Sequence, residues 1–310
     1  MVDLNLKVLE TFYEEEDRNG FLVSSAMKKV WAVELDLLNE FSRVCEKYQL
    51  KWFVHAGTML GAIRHRGFIP WDDDIDVVMP RSDFERLCSL GAQEFTCPYF
   101  YQTEETDELF ARNFARLRNS NTTAIQEWEK SFRYPYNQGI FIDIFPVDNM
   151  PDAESERKEF FAQLTLLNDK AWQWRNMVLF YRPKKDKGWM KRNNYYLKHL
   201  WYKYLSRRKG DYKYYLKKHH ALATKYDEMN TKCVGESIIA PLGRWVWNRE
   251  WVEEALYVPF EMLIVPVPIG YENCLKSGFG ENWRVPRQAP SLHGGVFFDV
   301  DKPYTEYIKP

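Results

Sequence analysis

Between Trp52 and Gly91 the chain twice pairs a short apolar run with a helical pattern: WFVHAG then TMLGAIRHRG, and IDVVMP then RSDFERLCSLG. Short runs rich in β-branched and aromatic residues predict strands, and Gly57 and Gly67 punctuate the first strand and the first helix. Strand, helix, strand, helix in so few residues restricts the chain to a mixed α/β core. Between the two pairs lies IPWDDDIDVV, which places Asp72, Asp73, Asp74 and Asp76 at the mouth of the second strand. Like charges this close repel, and burying an uncompensated carboxylate either costs free energy or shifts its pKa. A cation is expected there.

The flanking sequence extends this core. Met27, Val30, Trp31, Leu37, Leu38, Phe41, Val44, Cys45 and Tyr48 predict an amphipathic helix over 24–50, with Ser24 or Ser25 as N-cap. From Pro98 to Asn149 the pattern is β-rich (YFYQTE, FARLRNS, TTAIQEW, GIFIDIFPVDN), and Ala153 to Thr231 reads as several helices. Pro151-Asp152 marks the change. The expected organisation is a core over 1–150, a basic and aromatic helical region over 151–232, and an irregular segment over 233–310 that packs on the core.

With 310 residues, 45% of them apolar and 28% charged, the chain can bury a sizeable core. A formal net charge of -1 gives no global attraction to nucleic acid. Five cysteines, never closer than nine residues, argue against a disulfide framework and against a CxxC zinc site. The acidic N-terminus MVDLNLKVLETFYEEE does not resemble a signal peptide, and no apolar run approaches the ~18 residues of a membrane span. A cytoplasmic location, at most against the inner membrane face, is expected.

Alternation along a strand places Asp74 and Asp76 on one face, where two carboxylates suit a hard cation such as Mg²⁺ or Mn²⁺. In GIFIDIFPVD, Asp143 sits in an otherwise apolar strand, on the same face as Phe141 and Phe145. If the two strands are neighbours, Asp143 completes a three-carboxylate cluster able to support in-line phosphoryl transfer. Alternatively, it pairs with Arg116 or Arg118. Gly57-Thr58 at a helix start offers N–H groups and a hydroxyl to a phosphate, with Arg64, His65 and Arg66 close by. A calcium loop fits worse: position six would be Val77 rather than Gly, and position twelve Asp83 rather than Glu.

Taken together, GTMLGAIRHRGFIPWDDDIDVVMPRSDFERL resembles the signature of the LicD family, which includes the fukutin-related proteins. CEKYQLKWFVHAG, IDIFPVD and YENCLKSGFGENW fit the same pattern. The resemblance implies a nucleotidyltransferase-type fold and metal-dependent transfer of a phospho-alcohol from a CDP-alcohol to a glycan hydroxyl. In bacterial members the group is typically phosphocholine from CDP-choline, and the acceptor a teichoic acid or lipopolysaccharide sugar. On this resemblance the metal acids fall on Asp74, Asp76 and Asp143, the phosphate-contacting pair on Gly57 and Thr58, and Asp72 and Asp73 shape and cap the approach. Asp143 is the candidate to orient or deprotonate the acceptor, with His65 and His293 as lesser ones. The zinc-binding cysteines of one animal branch have no counterpart, which favours a bacterial member.

From Arg175 to Lys218, fifteen Lys or Arg stand against two acids, interleaved with Trp and Tyr. Such a stretch suits an anionic membrane or a polyanionic, lipid-linked acceptor; a solvated helical face with its own small core is the plainer reading. Nucleic acid is a weaker fit. Trp245, Trp247, Trp251, Trp283 and Phe297 are available to cage a quaternary ammonium. Competing functional readings are a DxD glycosyltransferase, a nucleic-acid nucleotidyltransferase and a non-enzymatic glycan- or membrane-binding protein.

Overall fold

The computed structural model describes residues 2–130, 134–180, 188–209, 211–238, 244–288 and 294–308. A small hairpin, β1 (Glu16–Arg18) and β2 (Phe21–Val23), precedes helix α1 (Ser25–Tyr48). Ser24 caps α1 by accepting the Met27 N–H at 3.2 Å, which satisfies one of the orphan donors of the first turn. Gln49 ends the helix in the left-handed region, its N–H returning to the Cys45 and Glu46 carbonyls.

The core continues through β3 (Phe53–Val54), α2 (Ala56–His65), β4 (Asp76–Pro80), α3 (Arg81–Glu94), β5 (Tyr99–Gln102), β6 (Ala115–Asn119), β7 (Thr123–Gln126) and β8 (Ile140–Met150). Three helices follow, α4 (Glu154–Val178), α5 (Trp189–Lys209) and α6 (Tyr212–Ala223). The last part holds β9 (Cys233–Glu236), β10 (Val246–Asn248), β11 (Ala255–Phe260), β12 (Leu263–Pro268), α7 (Tyr271–Phe279) and β13 (Val296–Asp299).

The central sheet has seven strands in the order β10-β9-β8-β4-β3, with β6 also on β8 and β5 on β6. Only β4 and β8 run parallel, so the sheet is mixed. Strand β8 is its spine: residues 140–144 pair with β6, 143–147 with β4 and 147–150 with β9. Its near-continuous apolar sequence follows from having neighbours on both edges and cover on both faces. Helix α1 lies against β8 and β6, burying Trp31, Leu35, Leu38 and Phe41.

One apolar core runs from Val23 to Trp283, so Trp245, Trp247, Val265 and Cys274 of the C-terminal part share it with the sheet. The helical part has two smaller clusters of its own, Met150 with Phe160, Phe161, Leu164 and Ala223, and Ala111 with Ala171, Trp174, Tyr212 and Leu216. This is a mixed α/β, nucleotidyltransferase-like core with a helical insertion and an irregular C-terminal region, as the sequence pattern predicts. Among the described residues no helix is long and apolar enough to cross a membrane.

Two local boundaries differ from expectation. Helix α2 begins at Ala56, so Gly57 and Thr58 sit inside its first turn rather than at a strand end. Strand β4 begins only at Asp76, which leaves Asp74 in the preceding loop, so strand alternation does not place it beside Asp76. A turn at Pro70-Trp71 and the repulsion among successive carboxylates hold residues 72–74 out of the ladder.

Candidate active site

The acidic loop is pinned at both ends. Asp72 N–H donates to the Ile69 carbonyl at 2.9 Å, and the Trp31 indole N–H of α1 donates to the Asp72 carbonyl at 3.0 Å. At the other end His55 N–H donates to the Asp76 carbonyl (2.8 Å), Asp76 N–H to the Thr58 hydroxyl (2.9 Å), and Asp143 N–H to the Ile75 carbonyl (2.9 Å). Thr58 therefore presents its oxygen to the β4 backbone and is buried. Its position fixes where β4 starts.

Between these anchors, one carboxylate oxygen from each of Asp72, Asp73 and Asp74 lies within 4.8 Å of the others, all three half-buried. Asp72 reaches back over α2: a Cβ on Gly57 would stand 2.5 Å from its Oδ2. The absence of a side chain at residue 57 lets a carboxylate rest against the first turn, where N–H groups have no intrahelical partner. The acids brought together are thus Asp72, Asp73 and Asp74. Asp72 and Asp73, expected only to shape the approach, share the cluster with Asp74.

Asp76 and Asp143 meet across the sheet. They are partners in register on β4 and β8, and Arg116 of β6 is the partner of Asp143 on its other side. Arg116 forms a forked pair with Asp143, Nε to Oδ1 at 2.5 Å and Nη2 to Oδ2 at 3.3 Å. Of the two arginines weighed for this pairing, it is Arg116; Arg118 instead donates to Gln102 and the Gly139 carbonyl. Asp143 is thereby a compensated charge next to Asp76.

A further carboxylate, Glu34, comes from α1 and was missed in the sequence. It lies one turn after Trp31 on the same face, is 1% exposed, and its Oε2 has no hydrogen-bond partner among the described residues. Burial, and then the charges of Asp74, Asp73, Asp72 and Asp76, push its pKa well above the usual carboxylate range. A signal was present: Met27, Val30, Trp31, Leu38 and Phe41 trace the apolar stripe, and Glu34 stands within it.

The basic residues are less available than the sequence suggests. Arg64 donates to the Trp283 carbonyl (3.0 Å) and to His65 Nε2 (2.8 Å). Burial, with Arg64 and Arg18 nearby, lowers His65 to about 4, so its ring is neutral at pH 7. His55 caps no N–H with its side chain; it is enclosed by Phe145, Trp245 and Trp247 and lowered by burial to about 3. Trp245, Trp247 and Trp283 are core residues, Trp251 is half-buried against the same core, and Phe297 sits edge-on to Tyr307. His293 lies outside the described residues.

The donor set fits a hard divalent cation. Three carboxylate oxygens converge, and Glu34, which feels their charge, is held buried with an unsatisfied oxygen. A mixed sheet that presents such acids beside a Gly-Thr helix start is the arrangement expected of a nucleotidyltransferase-type domain. Residues 49–180 match the family model described as LicD/FKTN/FKRP, nucleotidyltransferase domain. The chain contains a nucleotidyltransferase domain of this LicD/FKTN type.

The chain is 34% identical over 118 residues to the lipopolysaccharide cholinephosphotransferase LicD of Haemophilus influenzae, covering 38% of this chain and 43% of that protein. Over 47 residues it is 38% identical to uncharacterized proteins of Rickettsia prowazekii and Rickettsia typhi, covering 15% of this chain and 18% and 15% of theirs. The chain spans less than half the length of each of these relatives. The matched domain and the acidic cluster lie in the same part of the chain.

Proposed function

We propose that this protein moves a phospho-alcohol, phosphocholine from CDP-choline in the first instance, onto a hydroxyl of a cell-surface glycan of teichoic acid or lipopolysaccharide type. The observation that carries this reading is the convergence of Asp72, Asp73 and Asp74 over the first turn of α2, beside the in-register pair Asp76 and Asp143. The name of the Haemophilus influenzae relative supports choline and a lipopolysaccharide acceptor.

In this assignment Asp74, Asp76 and Asp143, with Asp72 and Asp73, hold Mg²⁺ or Mn²⁺, which when bound neutralises the diphosphate and polarises the attacking hydroxyl. The donor's phosphates lie along α2, against the backbone of its first turn at Gly57 and the Arg64 guanidinium; Thr58 acts by holding the start of β4 and the neutral His65 by accepting from Arg64. The acceptor oxygen bonds to the phosphorus that bears the alcohol, the bridging bond breaks, and CMP leaves with its electron pair. The acceptor proton passes to Asp143, which Arg116 orients. Residues 1–150 form the catalytic core, 151–232 a helical region and 233–310 a segment completing the core. The enzyme works at the cytoplasmic side of the cell membrane.

The test is CMP release from CDP-choline, CDP-glycerol, CDP-ribitol and nucleotide sugars with Mg²⁺ and a glycan acceptor. CMP is expected from CDP-choline and lost in Asp74→Asn. Full activity in that variant, or CMP from no CDP-alcohol, overturns the proposal.

A further inference from the structure

Helix α5 packs on the rest of the protein by a narrow face. Tyr202 and Leu205 meet the small cluster around Trp174, and His199 Nδ1 bonds the Met177 carbonyl. At 100° per residue these positions fall within a sector of about 120°. On the other side Trp189, Met190, Leu197, Leu200, Trp201 and Tyr204 are between 43% and 78% exposed. They gather within a sector of about 120° that overlaps none of the inward positions. Apolar side chains this size, aligned on one helical face and left in water, are what a docking surface presents.

Charge identifies the occupant. From Lys187 to Gly210 there are eight Lys or Arg and no Asp or Glu. On the helical projection Lys203 and Arg207 lie at one edge of the apolar face, and Lys191 and Lys198 lie beyond its other edge, on the side of the packed positions; all four are exposed. A protein partner with an apolar groove needs no such cationic border. A lipid surface does: Trp, Tyr and Leu enter the interface while the lysines meet anionic headgroups, each contributing roughly 1 kcal/mol near a charged surface. We propose that α5 is a peripheral membrane-binding helix that lies on an anionic lipid surface. This does not depend on the catalytic assignment.

Flotation of the whole protein with phosphatidylcholine vesicles, with and without 30% phosphatidylglycerol, tests it. The expected result is binding to the anionic vesicles, about tenfold weaker to neutral ones, and reduced by high salt. Leu200→Asp with Trp201→Asp should lower partitioning about tenfold or more. Lys198→Glu with Lys203→Glu, exposed and harmless to folding, should lower it on anionic vesicles only; circular dichroism of each variant controls for unfolding. Absence of flotation, or equal binding to both lipids, overturns the proposal. So does light scattering that shows a dimer dissolved by Leu200→Asp and Trp201→Asp, or binding to RNA without binding to vesicles.

Discussion

Asp76 and Asp143 face each other in register on parallel strands, and Arg116 pairs with Asp143 from the opposite side. Two carboxylates at adjacent positions of one sheet face raise each other's energy, so the pair is tolerable because Arg116 balances one of them. Asp76 opens β4 directly after the acidic loop, so the pair sits beside the Asp72–Asp74 cluster.

Removing the balanced acid should therefore cost more than removing a loop acid. Asp143→Asn leaves Arg116, nearly fully buried, without its partner, and a broken buried pair costs about 3–5 kcal/mol. Asp73→Asn should change stability by less than about 0.5 kcal/mol, or raise it by relieving repulsion. Urea unfolding of the metal-free variants measures both, and equal losses would contradict this account.

Cation binding should be visible without catalysis. Mn²⁺ is expected to raise the thermal midpoint by a few degrees through binding to the folded state alone. The combined change of Asp72, Asp73 and Asp74 to Asn should abolish that shift while raising the midpoint in EDTA.

Glu34 predicts a pH dependence of opposite sign to ordinary acid denaturation. A carboxyl whose folded pKa is raised contributes stability below its unfolded value, near 4.5, and loses it as pH climbs toward the folded value. In EDTA, Glu34→Gln should match the parent at pH 4 and become progressively more stable than it toward pH 8. A difference that shrinks with rising pH would rule out a buried neutral acid.

His55 works the other way. Neutral in the fold, with a pKa near 3 against an ordinary 6.5, it makes the folded state bind fewer protons than the unfolded chain between those values. Stability is present above pH 6.5 and falls by up to about 1.4 kcal/mol per pH unit as pH drops toward 3. His219, lowered to about 4 by burial, adds in the same direction. Replacement of His55 by Phe should flatten, though not remove, the acid limb of a stability-against-pH curve.

Gly57→Ala separates fold from site. Alanine favours the helix by about 1 kcal/mol, yet its Cβ would displace the Asp72 carboxylate. Calorimetry is expected to show an unchanged or higher midpoint with about tenfold weaker Mn²⁺ binding; unaltered binding would place Asp72 outside the cation site.

Much of this architecture is legible from local pattern. Periodicity found α1 with Ser24 or Ser25 to cap it, and the isolated Asp143 in an apolar strand called for a partner, either the acidic strand or an arginine; the fold supplies both, with Ser24 as the cap. What pattern could not resolve is pairing across the fold. Whether Arg116 or Arg118 answers Asp143 depends on a register set by β6 and β8 together. The loop at 72–74 differs because strand alternation counted from Asp74 starts two residues before the ladder begins at Asp76. Glu34 escaped because a stripe is read by its apolar members, and the one that breaks it is taken for noise.

The two tethers on the acidic loop, Trp31 on Asp72 and Thr58 with His55 on Asp76, turn folding into a standing electric field. Untethered carboxylates would drift apart and screen themselves with water. Held between a helix and a sheet, they keep their mutual repulsion in the native state, and a divalent cation relieves it on arrival with little further ordering of the chain. Any selectivity among cations would then reside in the spacing that α1 and β4 impose. A change in how α1 sits on the sheet would retune the site without altering any of its ligands.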